Sequence, residues 1–244
     1  ADHLSAIEAT TVVSQDLLKI VFDGDQGSTV FTDLAVGHPI AYAGNARIAA
    51  NAGPFGNSCL ILDASNSYVE TQDTSDLYFT AGLDINLECW VKFTTISGNQ
   101  VILEFGTEVN GFCIRHNGTN VMFITNNGYA GNIGTPVANT WYHIAVSKAG
   151  GLLRCFWNGT KVIEMTPLTT TWNTTGTSCR IGCGKTQTSY QFLGYISDLS
   201  IKKGIAIRTA NFSVPASPME TTFLTDLKGN QFYVVGSPTV SGSP

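Results

Sequence analysis

The pattern best suited to acid–base chemistry is Asp84-x-Asn86-x-Glu88, three polar positions on alternate residues of an apolar-rich run. Alternate residues of a strand share one face, and a two-carboxylate glycosidase needs its acid and its base or nucleophile at a fixed separation. Here the middle position is an amide and no leading Glu precedes it, so a second acid would have to come from elsewhere. The pattern reads as the polar face of a strand whose other face is core. Nucleophilic catalysis has no better footing. There is no G-x-S-x-G elbow, and His3, His38, His116 and His143 are scattered. His143 lies in an apolar run and reads as a packing residue. No glycine-rich phosphate loop precedes a helix. The expectation is therefore a protein that is not an enzyme.

Binding chemistry is better represented. An aromatic ring in a polar turn offers an apolar face to the C–H side of a sugar, while adjacent amides bond its hydroxyls. Tyr129 with Asn126 and Asn127, Trp172 beside Asn173, and Tyr190 beside Gln187 fit that description. Each ring would equally suit a loop anchor or a protein contact, where Tyr and Trp are enriched. Asp23, Asp25, Asp33, Asp63, Asp73 and Asp76 lie near predicted turns. A Ca²⁺ ion takes carboxylate and carbonyl oxygens from such loops, although no EF-hand spacing is present and solvated turn aspartates are the simpler reading.

The elements that must position these groups are strands. Charged residues are only 13% of the 244-residue chain, about half the usual share, so Thr, Ser, Asn and Gly supply the polarity. Thr favours strands and the others turns. Short apolar runs at 17–22, 46–50, 58–63, 84–93, 100–105, 111–116, 120–125, 140–148, 152–157, 160–165, 178–184 and 192–203 are separated by turn residues. Asn158-Gly159 between two of them predicts a type I′ hairpin. In 84–93, Ile85, Leu87, Cys89, Val91 and Phe93 share the apolar face. Trp90 shares the other face, where a sugar could stack on it or a loop could cover it. About a dozen strands without helical periodicity predict two packed antiparallel sheets.

The net charge of −5 excludes a nucleic-acid binder by bulk electrostatics, since a phosphate footprint needs a basic excess. No apolar run approaches the roughly 18 residues of a membrane span. Cys59, Cys89, Cys113, Cys155, Cys179 and Cys183 lack the C-x-x-C spacing of metal or redox sites. Buried free thiols are the expectation, with disulfides left open by the even count. Cys179 and Cys183, on one predicted strand, would stand about 13 Å apart and could not bridge each other.

Five short motifs in order carry a resemblance: Glu88-Cys89-Trp90-Val91-Lys92, Trp141-Tyr142-His143-Ile144-Ala145-Val146, Phe156-Trp157-Asn158-Gly159, Arg180-Ile181-Gly182, and the run 192–199 from Phe192 to Leu199. Over roughly 17–215 the chain resembles the laminin G-like branch of the concanavalin A-like lectin/glucanase sandwiches. The resemblance implies an all-β, two-sheet antiparallel jelly-roll sandwich; with the polar, aperiodic residues 1–16 read as an N-terminal arm suited to docking, the sandwich is expected over 17–244, including a closing strand and tail. Carbohydrate and calcium binding are frequent in the wider family, but its loops diverge too much to transfer a ligand position. The segment 201–215 is similar to a run that closes such domains in bacteriophage structural proteins, which often have Arg-Tyr where this chain has Ile207-Arg208.

That similarity implies a virion surface protein, a capsid decoration or a tail or fibre appendage. Its partners would be other capsid or tail proteins, and it would be displayed in multiple copies or as a homo-oligomer. Weak adhesion to a cell-surface glycan is compatible with that placement. The alternative is a secreted carbohydrate-binding module or glycan-degrading domain.

Overall fold

Alternation in the apolar run 84–93 builds the centre of the molecule. In β6 (Ile85–Phe93), Ile85, Leu87, Cys89, Val91 and Phe93 all face the main core and are essentially inaccessible, as the parity of the run predicts. Asn86, Glu88, Trp90 and Lys92 point the other way. The structure is a computed structural model that describes residues 16–72, 75–77, 79, 82–106, 111–125, 128–165, 178–185, 188–219, 223–225 and 231–233.

Two antiparallel sheets enclose the core. The first is eight-stranded, in the order β13 (Thr160–Met165), β12 (Leu152–Trp157), β11 (Trp141–Ala149), β6, β15 (Gly194–Lys203), β4 (Cys59–Leu62) and β3 (Arg47–Ala49), with β1 (Asp16–Ile20) pairing β15. The second is seven-stranded, in the order β10 (Gly128–Gly134), β9 (Val121–Thr125), β8 (Phe112–Asn117), β7 (Asn99–Phe105), β14 (Cys179–Ile181), β5 (Tyr68–Thr71) and β2 (Ile40–Ala43). Phe79, Phe105, Phe112 and Phe123 pack ring against ring in the core that also holds Leu87, Val91 and Ile144. Regular helix among the described residues is one 3₁₀ turn, Ser75–Leu77. This is the two-sheet antiparallel sandwich that the strand pattern predicts, consistent with a jelly roll.

The hairpin at 158–159 forms as its dipeptide dictates. Asn158 and Gly159 have φ of 49° and 77°, the paired left-handed conformation of a type I′ turn. Three strands of the two sheets that are absent from the apolar runs also form. β2 and β5 are four residues each, and β10, with three glycines, has little strand propensity of its own. Among the described residues, β16 (Phe223–Thr225) and β17 (Gln231–Tyr233) pair with each other as a separate ladder. Of the arm 1–16, Asp16 is the first residue of β1, paired with Lys202, and residues 1–15 lie outside the described residues.

The predicted strand 178–184 stops at Ile181. Gly182, with φ of 99°, turns the chain, and a Cβ there would meet the Leu62 side chain at 2.2 Å. Cys183 therefore leaves the line of the strand. All six cysteines are free and buried, and burial pushes the Cys59, Cys89 and Cys179 thiols up to about 12. The thiolate is the nucleophile, so Ellman's reagent is expected to label almost none of the native protein and six thiols once it is unfolded. Rapid labelling of one or more native thiols would contradict the packing.

Candidate binding face

The outer face of the eight-stranded sheet is closed by its own chain. After β15, residues 204–215 run back across β6, β11 and β12. Gly204 N–H donates to Asp84 O at 2.7 Å, Arg208 N–H to Asn86 Oδ1 at 3.2 Å, and Phe212 N–H to Gly159 O at 3.0 Å. Asn211 Oδ1 accepts the Lys161 amide at 2.8 Å. A Cβ on Gly159 would sit 2.0 Å from the Phe212 carbonyl, so the hairpin glycine serves this strap as well as the turn. The Phe212 ring packs edge-on against His143 and Phe156.

Glu88, the carboxylate considered for acid–base work, lies beneath the strap. It is 8% exposed. Its Oε1 accepts Arg208 Nε at 2.8 Å and Asn86 Nδ2 at 2.7 Å, and its Oε2 faces Arg208 Nη2 at 3.1 Å and His143 Nε2 at 3.3 Å. Burial alone would raise its pKa, but hydrogen bonds from His143 and Arg208 overcome that cost and hold it at about 2. A carboxyl so strongly ionised is a poor general acid near neutral pH. Asp84 is also engaged, its Oδ1 accepting the Gly150 amide at 2.9 Å. Trp90, 9% exposed, is covered edge-on by Phe55 at 5.5 Å and His143 at 5.0 Å. Of the two roles its parity allowed, the structure selects cover by a loop.

The outer face of the seven-stranded sheet divides in two. Across β5, β14 and β7 runs an ionic network, in which Arg180 donates from Nε and Nη2 to Glu70 Oε2 at 3.1 and 2.8 Å. Its guanidinium also lies 4.2 Å from the Tyr68 ring. Ser178 Oγ bonds the other Glu70 oxygen, and the Lys185 amide donates to Glu104 Oε2 at 2.6 Å. Across β7, β8 and β9 the same face is apolar. Val101, Cys113, Met122 and Ile124 form a second hydrophobic cluster with Tyr190 packed against it.

Tyr190 is half-buried, with the Arg115 guanidinium 5.5 Å from its ring centroid. The next residue fixes its position. Gln191 donates from Nε2 to Ser67 O and Gly182 O at 2.8 Å each, and accepts the Ser67 amide at 3.0 Å. Phe192 is sealed in the core. Tyr129 stands in β10 opposite Ile124 of β9, the register position facing this cluster's strand. Asn126, Asn127 and Trp172 lie outside the described residues.

Four of the six candidate calcium aspartates have other partners. Asp33 accepts the amides of Lys19, Ala35 and His38 at 2.9, 2.9 and 3.1 Å, and His38 Nδ1 at 2.7 Å. Asp76 meets His38 Nε2 at 2.9 Å. Asp63 binds Arg47 through both oxygens and is held below the usual carboxylate range by that guanidinium. Asp23 accepts the Gly24 amide, Asp25 is exposed, and Asp73 lies outside the described residues. No three His, Cys, Asp or Glu side chains gather as a metal site among the described residues.

Comparison with known proteins agrees with this architecture. The laminin G model described as the concanavalin A-like lectin/glucanases superfamily matches residues 63–205, more than half of the chain. The chain belongs to the concanavalin A-like lectin/glucanases superfamily. Among solved structures, this lectin-like sandwich is similar to domain 4 of AbnA, an extracellular arabinanase of Geobacillus stearothermophilus, solved in complex with arabinotriose. The identity is 18% and the TM-score 0.58, over 80% of this chain and 95% of that domain. It is also similar to the receptor-binding domain of botulinum neurotoxin D, at 12% identity and TM-score 0.59, over 79% of this chain and 50% of that one. A third similar structure, of botulinum neurotoxin type C, whose cell entry depends on two ganglioside molecules, has 10% identity and TM-score 0.58 over 81% and 50% of the two chains. The sandwich thus spans about half the length of the neurotoxin domains it matches. No curated protein matches the chain.

One feature of this superfamily member was not visible among the sequence candidates. Trp141, Lys92 and Tyr195 lie side by side on the outer face of the eight-stranded sheet, beyond the strap. Their outward parity could be read along each strand, but their adjacency depends on the pairing of three strands distant in the chain.

Proposed function

We propose that the chain is a non-enzymatic adhesion module, a lectin-like sandwich displayed in multiple copies on a virion surface, that holds a cell-surface glycan weakly. The observation that carries the binding reading is the half-exposed Tyr190–Arg115 pair, set on a rigid sheet face by Gln191. The ring offers a stacking surface, and the guanidinium beside it carries N–H groups of the kind that sugar hydroxyls accept from. The carbohydrate and ganglioside ligands of the similar structures support the same class of ligand. The engagement of Glu88 and Asp84 in internal bonds supports a role without hydrolysis. The virion setting is supported by the resemblance of 201–215 to phage structural proteins, a segment that forms the strap. Partners there would be capsid or tail proteins.

A glycan array probed with a multivalent form tests the binding, because multiple copies convert weak contacts into measurable avidity. Tyr190→Ala is expected to weaken the strongest signal at least tenfold, in line with the loss of one stacking ring. Calcium is expected to leave the Tyr190-dependent signal unchanged. A blank array would overturn the adhesion reading. Mass spectrometry of purified particles tests the location: absence of the chain would favour a secreted carbohydrate-binding module, and release of reducing sugar from a polysaccharide would favour a glycan-degrading domain.

A further inference from the structure

Strand register places an aromatic–cation–aromatic row on the outer face of the eight-stranded sheet. Trp141 of β11 is opposite Lys92 of β6, and Lys92 is opposite Tyr195 of β15. The row continues through Ile61 of β4 to Arg47 of β3. The Lys92 ammonium lies 5.1 Å from the Trp141 ring centroid and 4.2 Å from that of Tyr195, and the two rings are 6.4 Å apart and tilted by 56°. All three side chains are half-exposed. The strap crosses the same face obliquely, from Asn86 at the start of β6 to His143 in β11 and Gly159, and the row lies beside it.

The charge on Lys92 stands out by comparison with its neighbours. On the same face Arg47 meets Asp63, Arg154 and Lys161 meet Glu164, Arg208 meets Glu88, and Lys202 meets Asp16. Lys92 makes contact with two rings and with no carboxylate among the described residues. Cation–π contact holds an ammonium in place without neutralising it. The row is therefore two tilted rings flanking a positive charge.

We propose that this row is a second binding site, separate from the Tyr190 face, for a sugar ring that carries a carboxylate. The carboxylate pairs with Lys92, and the C–H faces of the ring and its neighbour lie on Trp141 and Tyr195. Only the ligand class is shared with the glycan-binding reading; the site stands or falls independently of Tyr190. Both uronic acids and nonulosonic acids present this chemistry.

The test is titration by tryptophan fluorescence and saturation-transfer NMR with three probes: trigalacturonic acid, its methyl ester, and the α-methyl glycoside of N-acetylneuraminic acid. The expected result is binding of at least one acid, at least tenfold weaker binding of the ester if the acid is galacturonate, and at least a tenfold loss in Lys92→Met and in Trp141→Ala. Lys92→Met keeps the alkyl stem between the rings, and unchanged circular dichroism will show that the fold is intact. Lys92→Arg is expected to restore binding, and Tyr190→Ala to leave it unchanged. Which acid binds distinguishes the two sources. The proposal is overturned if neither acid binds the wild type, if Lys92→Met binds as tightly as wild type, or if the loss occurs in Tyr190→Ala instead. A blank result at the Tyr190 face with a Lys92-dependent acid signal would remove the first reading and leave this one standing.

Discussion

Arg208→Ala is expected to destabilise the protein by about 3–5 kcal/mol, because it leaves the Glu88 carboxylate buried without its main counter-charge. The substitution also removes the guanidinium stacked 4.1 Å from the Phe212 ring and one anchor of the strap over β6. Denaturant unfolding of the variant at pH 7 measures the loss; a change below about 1 kcal/mol would show that the pair contributes little. The pH dependence has a definite sign. The folded pKa of Glu88, about 2, lies below its ordinary value of 4.5. Its contribution is therefore fully present above about pH 4.5 and is lost as pH falls toward 2. At about 1.4 kcal/mol per unit this is roughly 3 kcal/mol, and Glu88→Gln is expected to flatten that part of the profile.

Asp198→Asn is expected to act in the opposite direction and stabilise the protein at pH 8. Asp198 sits at the irregularity of β15 between Ser197 and Ser200, with φ of 51° and 4% exposure. Its carboxylate oxygens are buried without a well-formed hydrogen bond. Burial raises its pKa from 3.8 to about 7, although the Met219 amide, the charge of Lys19 and the Ser197 hydroxyl offset part of the cost. Because the folded state holds this proton more tightly, stability from this group falls as pH rises from about 4 to 7 and is flat beyond. The asparagine abolishes that penalty, and Asn tolerates the left-handed conformation better than most residues. A gain of about 2–4 kcal/mol at pH 8, with little change at pH 4, is the expected result of paired urea titrations. A loss at pH 8 would mean that the ionised carboxylate is satisfied in solution. Together, Glu88 and Asp198 place the maximum of stability at about pH 4 to 4.5, where the first contribution is complete and the second has only begun to fall.

β6 was legible in detail because the parity of its apolar residues separates its two faces, whereas β11 and β12 were legible as apolar runs bounded by turn residues. The Asn158-Gly159 turn was legible because few dipeptides favour two successive positive φ values. β2 and β5 were too short to show a period, and β10 owes its place to pairing with β9. The polar face of β6 was read correctly as a face and incompletely as an environment: Asn86, Glu88 and Trp90 are covered by residues more than a hundred positions downstream in the case of Arg208, and by Phe55 upstream. Cover of that kind has no local signal. For the same reason Tyr190 could be picked out as an aromatic among polar residues, whereas Trp141, Lys92 and Tyr195 could not be joined until their registers were known.

The position of β15 also governs how the chain acquires its structure. It is the partner of β6, β4 and β1 at once, and all three precede it by about a hundred residues or more. Until residues 194–203 have been made, β6 has a partner on its β11 side only, and its opposite hydrogen-bonding edge is open. Contacts so distant in the chain make folding slow, and an open edge invites pairing with other molecules. Synthesis should therefore produce a long-lived, aggregation-prone stage that ends when β15 inserts, so a chain cut short before that strand is expected to accumulate as insoluble material, and not as a smaller soluble sandwich.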